Sequence, residues 1–180
     1  MAMNQPFTTA SQSIASYSYT DIADGTGIQQ FYGICFKDSA ASFNVFLSQN
    51  LIEGVVAAVI GDNATFDFDL SPFTTPRDVT GTAYIEMMCD YGGSDTSTFT
   101  VYVKHYDGST ATTLGSRTTA GINGEDEQVA LSIDLTSKHF KKGDILRVSV
   151  RHVSAGSENG YVHTTKTNPF KVFIPFKLNL

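Results

Sequence analysis

Apolar and polar residues alternate along most of this chain, and the repeat is two residues long. TFDFDL (65–70) sets Phe66, Phe68 and Leu70 against Asp67 and Asp69. In STFTVYVKHY (97–106), Phe99, Val101 and Val103 oppose Thr100, Tyr102 and Lys104. QVALSIDL (128–135) repeats through Val129, Leu131, Ile133 and Leu135, and FKVFIPFKL (170–178) through Phe170, Val172, Ile174 and Phe176. ILRVSVRHV (145–153) turns Leu146, Val148 and Val150 to one side and Arg147, Ser149 and Arg151 to the other. Successive side chains of a strand point to opposite faces, so this period predicts strands with one face on a core.

Between these segments the signals are shorter. FYGICF (31–36) and FNVFL (43–47) predict a hairpin, and GTAYIEMMC (81–89) is a strand leading into the turn DYGGSD. TTLGSR (112–117) is a weaker strand. LIEGVVAAVI (51–60) is a near-continuous apolar run that fits either a short buried helix or a buried strand. TSKHFKKGD (136–144) reads as a polar link bending at Gly143, and Pro175 marks its strand as edge or bulged. About eight to ten closely spaced strands, with Gly and Pro turns and no long helix, predict an all-β antiparallel sandwich. A jelly roll is the expected version, although periodicity does not give strand order. Residues 31–180 are expected to form this one domain, and residues 1–30, rich in Ser, Thr, Gln and Ala, an extended N-terminal arm.

Composition narrows the function classes. The net charge of −6 lacks the basic footprint that phosphate neutralisation requires, so direct nucleic-acid binding is not expected. Charge is unevenly spread: residues 1–90 hold two basic and ten acidic side chains, residues 91–180 ten basic and eight acidic. Four of the twelve Lys and Arg (Lys141, Lys142, Arg147 and Arg151) gather in one short stretch. They are candidates for a polar interface with a partner's acidic groups, or for blocking wrong strand pairing. No signal peptide and no bilayer-length apolar run are visible, so cytoplasmic synthesis and no membrane contact are expected.

Chemistry-bearing motifs are sparse. Cys35 and Cys89 form no metal or redox spacing and read as buried thiols, with a disulfide left open. His105, His139, His152 and His163 are scattered, and His105 and His152 share the apolar side of their strands, as structural histidines do. Asp62, Asn63, Asp67 and Asp69 would hold calcium only if their loop closed on itself, without a recognised loop pattern. No serine-hydrolase elbow or phosphate loop is present, so neither an enzyme nor a resident cofactor or metal is expected.

The segments NQPFTTASQSIASYSYTDIADGTGIQQFYG and IDLTSKHFKKGDILRVSV, with the alternating strands between them, resemble small auxiliary head proteins of tailed bacteriophages, the decoration or cement type. The resemblance implies a virion structural protein at the capsid surface that binds and stabilises the major capsid protein, typically as a homotrimer. On that reading Tyr17, Tyr19, Ile22, Ile28 and Phe31 are the expected arm contacts. The rival reading is a carbohydrate-binding or host-recognition module of a phage tail, with Tyr91, Tyr102, Tyr106 and Tyr161 as stacking platforms. The absence of Trp weighs against it.

Overall fold

A computed structural model describes residues 26–36, 45–91, 93, 96–124 and 126–177. In chain order the strands are β1 (Thr26–Cys35), β2 (Val45–Ser48), β3 (Ala58–Ile60), β4 (Thr65–Asp69), β5 (Arg77–Tyr91) and β6 (Ser97–Tyr106). They continue with β7 (Ala111–Thr118), β8 (Glu127–Phe140), β9 (Ile145–Ser154), β10 (Gly160–Val162) and β11 (Phe170–Lys177). The fold is all-β, as the two-residue period requires.

Strand order is β3-β10-β5-β11-β1-β2-β4-β9-β6-β7, with β8 on β5. Pairing is antiparallel throughout except where β2 meets β4 in parallel at Phe46 and Asp69. This ribbon folds on itself into two layers. One holds β8, β5, β11, β10 and β1; the other holds β4, β9, β6 and β7. Across the gap Phe68 meets Phe170 at 5.0 Å between ring centroids, and His105 of β6 meets Phe140 of β8 at 4.8 Å. The core lies between the layers and takes the residues the alternation marked: Phe66, Phe68, Phe99, Val101, Val103, Leu146, Val148, Val150, Phe170, Val172 and Ile174 are all buried. Apolar area removed from water by this interleaving is the main favourable term in folding.

Four expectations change. Strand β1 starts at Thr26, so an arm ending at residue 30 would cut into a strand that pairs with β11 from Thr26↔Lys177 onward. Phe31, expected as an arm contact, is 0% exposed and packs edge-on against Phe176 at 6.2 Å, because its place in β1 turns it to the core. The segment TSKHF is no link but the end of β8, pairing with Arg77–Val79 and burying Phe140. Only Ala58–Ile60 of the apolar run 51–60 forms a strand, pairing with β10, and Leu51 and Ile52 are exposed.

Proline 175 lies in an interior strand and is accommodated by a bulge. Register between β11 and β5 shifts between Phe173 and Phe176, and that between β5 and β8 shifts between Val79 and Gly81. Gly81 takes a φ of 108°, open to glycine, with its position facing the Pro175 ring. Two irregularities thus coincide, and the ladder resumes on both sides. The expected bend at Gly143 is also present, with φ 95°.

Phe68 is fully buried between β9 and Phe170. Phe68→Ala is expected to cost about 3–5 kcal/mol, read as a lower urea midpoint with an unchanged slope. A loss below about 1 kcal/mol would mean the layers do not close over this ring.

Candidate functional site

The basic cluster has a local explanation. β9 is an interior strand, flanked by β4 and β6, so its arginines guard no edge. Register sets Arg147 beside Asp69 on one side and Lys104 on the other, and Ser149 beside Asp67. Arg147 grips Asp69 with two hydrogen bonds, Nε to Oδ1 at 2.6 Å and Nη2 to Oδ2 at 2.7 Å, and lies 3.3 Å from Asp67. The Asp69 hydrogen bonds raise the guanidinium pKa further against the opposing effect of burial. Two cations directly opposite each other repel; here Asp67 and Asp69 sit among them and cancel the repulsion. Ser149 donates to Asp67, and Arg151 donates to the Asn63 side chain at 3.0 Å. Arg147 and Arg151, expected as interface groups, are therefore committed within the chain. Lys141 and Lys142 are exposed at the β8–β9 turn.

The same contacts dispose of the calcium idea in its simple form. Asp69 is held by Arg147, Asp67 by Ser149 and Arg147, and Asp62 accepts the Ser154 N–H at 2.8 Å, which lowers its pKa.

Stacking platforms are largely covered too. Tyr91 is buried and shares a hydrogen bond of 2.8 Å with Ser154. The Lys104 ammonium stands 5.1 Å from the Tyr102 ring centre and the Arg147 guanidinium 4.1 Å from that of Tyr106. Tyr161, on β10, is half-buried.

The outer face of the other layer differs in kind. Lateral neighbours Tyr84, Phe173 and Gln30 form one row, and Pro175 and Ile28 the next. Tyr84 and Ile28 are each 49% exposed. A second apolar group lies past the far end of β1: Phe36 rests on Phe46 at 5.5 Å, while Leu51, Ile52 and Val56 are exposed on a segment tied to β1 by the Val55 N–H to Cys35 carbonyl hydrogen bond of 2.8 Å. Ile28, an expected contact residue, is thus accessible. Tyr17, Tyr19 and Ile22 lie outside the described residues.

Histidines and cysteines occupy structural or polar niches. The His105 Nε2 is 2.6 Å from Asp144, which also accepts the Lys141 N–H at 2.8 Å. Burial alone would raise the Asp144 carboxyl, but these partners outweigh it and hold it below its ordinary value. His139 pairs with Asp78 at 2.6 Å. His152 is buried between Phe99 and Tyr91, 5.0 Å and 6.0 Å away by ring centres. His163 faces Asp90 and Asp126, a grouping with no spacing signature in the sequence. Cys35 and Cys89 are both buried, and burial pushes the Cys89 thiol far above its ordinary range.

No protein-family model and no curated sequence matches this chain. Solved structures do. The sandwich is similar to part of a CocE/NonD family hydrolase from Staphylococcus aureus, with TM-score 0.67 and 12% identity over 85% of this chain and 37% of that one. It is similar to an α-amino acid ester hydrolase, with TM-score 0.63 and 10% identity over 82% and 36%. An aminopeptidase from the marine sediment archaeon Thaumarchaeota archaeon gives TM-score 0.63 and 11% identity over 82% and 36%. This chain spans little more than a third of the length of each. At such identities the likeness is one of fold, and a sandwich hosts many functions.

Two outcomes follow. Arg147→Met, which strands Asp69 and Asp67 beside each other, is expected to lower stability by about 1–2 kcal/mol, whereas Lys141→Glu with Lys142→Glu stays within about 0.5 kcal/mol in urea unfolding. Burial pulls the His152 pKa below its ordinary 6.5, against the raising influence of the Gly61 backbone and Asp62. A ring less basic when folded contributes stability that is present above about pH 6.5 and lost as pH falls. The melting temperature of His152→Leu should therefore drop less between pH 7.5 and 5.5 than that of the parent chain; equal drops would remove His152 from the acid response.

Proposed function

We propose that this chain is a virion structural protein of the decoration or cement type, seated on a major capsid shell and acting as a homotrimer. One observation carries the binding half of this reading: apart from Tyr84, the large exposed hydrophobic residues among the described residues belong to β1, to Phe36 just past it, or to the segment hydrogen-bonded to its end. Exposed apolar groups gathered on one side of a folded domain, rather than scattered singly, point to interaction sites. The outer face of β4, β9 and β6 satisfies its own charges, so the β1 side is the face left for a partner. The virion half rests on the resemblance of the two quoted segments to auxiliary head proteins. Many copies binding at once make modest single contacts sufficient.

The test is quantitative mass spectrometry of purified virions together with co-sedimentation of the protein on capsid shells. A copy number near that of the major capsid protein is expected, as is at least a tenfold loss of shell binding in Ile28→Asp with Tyr84→Asp. Absence from virions would overturn the assignment. Full binding by the double variant would move the contact away from β1.

A further inference from the structure

We infer that Asp90, Asp126 and His163 form a binding site for a divalent transition metal ion of the zinc class. The three come from separate places that strand pairing brings together. Asp90 is near the end of β5, Asp126 immediately precedes β8, and His163 immediately follows β10. β10 pairs with β5 through Tyr161↔Asp90, and the His163 N–H bonds the Met88 carbonyl at 3.0 Å, which fixes the imidazole beside β5. The Tyr91 N–H to Gly124 carbonyl bond of 3.3 Å and the Asn123 N–H to Glu127 carboxylate bond of 3.1 Å hold the approach to Asp126.

The spacing separates this cluster from the other His–Asp pairs. His105 and His139 each close on one carboxylate at 2.6 Å, the distance of a strong charge-assisted hydrogen bond. His163 Nε2 stands 3.3 Å from Asp126 Oδ1 and 3.8 Å from Asp90 Oδ2, and one donor atom from each residue lies within 4.8 Å of the others. Zinc binds imidazole nitrogen and carboxylate oxygen at about 2.0–2.2 Å, so adjacent donors of a tetrahedral site are about 3.3–3.6 Å apart. The cluster has room for an ion where the other pairs have none.

Burial supplies the independent observation. His163 is 5% exposed, and neither of its ring nitrogens, nor Asp90 Oδ1, has a hydrogen-bond partner among the described residues. Buried polar atoms left so are uncommon and call for a ligand or an ion. The imidazole argues against calcium and magnesium, which take oxygen donors, and for zinc and its neighbours. Asp126 is 65% exposed on its side chain, so the ion would meet solvent on that side, leaving a fourth position for water. Bound there, the ion would tie the end of β5 to the β7–β8 loop and the end of β10.

The test is titration of the chelator-treated full chain with zinc chloride by calorimetry, with cobalt(II) absorption as the readout of four-coordinate geometry. One equivalent is expected to bind, at least tenfold more weakly in Asp126→Asn and in His163→Gln, and unchanged in His139→Gln. Asp126→Asn alters an exposed side chain whose left-handed backbone (φ 56°) asparagine also adopts, so it decides the matter even if His163→Gln fails to fold. No saturable zinc binding up to about 1 mM, a concentration at which even a weak site of that Kd would be half filled, would overturn the site. So would equal binding by Asp126→Asn and the parent, or binding of calcium in preference to zinc.

Discussion

Register on β5 is the constraint on which the rest of the molecule depends. This strand runs for 15 residues, with β8 along one edge and β11 and then β10 along the other. A slip of one residue would turn Val79, Ala83, Ile85, Met87 and Cys89 out of the core and bring Tyr84 and Glu86 in. The bulge near Gly81 is where that register is adjusted without being lost: Pro175, which has no N–H to give, sits opposite a glycine that can take the backbone angle required. Both apolar groups on the outside of the layer, and the Asp90 end of the strand, inherit their positions from this arrangement.

Strand faces were legible because alternation is a local property. Most residues of the long strands went to the side their parity marked, and His105 and His152 followed the apolar side of theirs; the exception is the end of β8, where the register shift turns Phe140 inward against the parity of Ile133 and Leu135. Partners were not legible, because a ladder joins segments far apart in sequence. Arg147 looked like a charge in search of a protein partner until β4 supplied Asp69 beside it. Phe31 was expected among the arm contacts although it opens the predicted strand FYGICF, because its apolar ring follows directly on a polar segment; its place within β1 explains its burial. His163, Asp90 and Asp126 share no spacing at all, so nothing short of the fold could have grouped them. The sequence also over-read the run 51–60, where a continuous apolar stretch met too little strand pairing to bury Leu51 and Ile52.

The two outer faces embody different solutions to the same geometric problem. On β4, β9 and β6, charge is plentiful but balanced side to side, with tyrosine rings beneath the cations. Such a face is well solvated and offers a partner little that water does not already provide. On β5, β11 and β1 the outward positions carry Tyr84, Phe173, Pro175 and Ile28, whose association with another surface releases water at little polar cost. Similarity of fold to parts of larger hydrolases is compatible with either face serving as an interface, since the sandwich itself is a scaffold.

The pairing of Thr26 with Lys177 has a mechanical consequence. The first described strand and the last run antiparallel side by side in the interior of the sheet, so the start of β1 and the end of β11 lie together at one end of it. A load that drew these two points apart would open the β1–β11 ladder one hydrogen bond at a time, like a zip, rather than shearing all of them together. Tension borne across the sheet faces meets the full interleaved core instead. The domain is thus weak to pulling at its ends and strong to pressing on its surfaces.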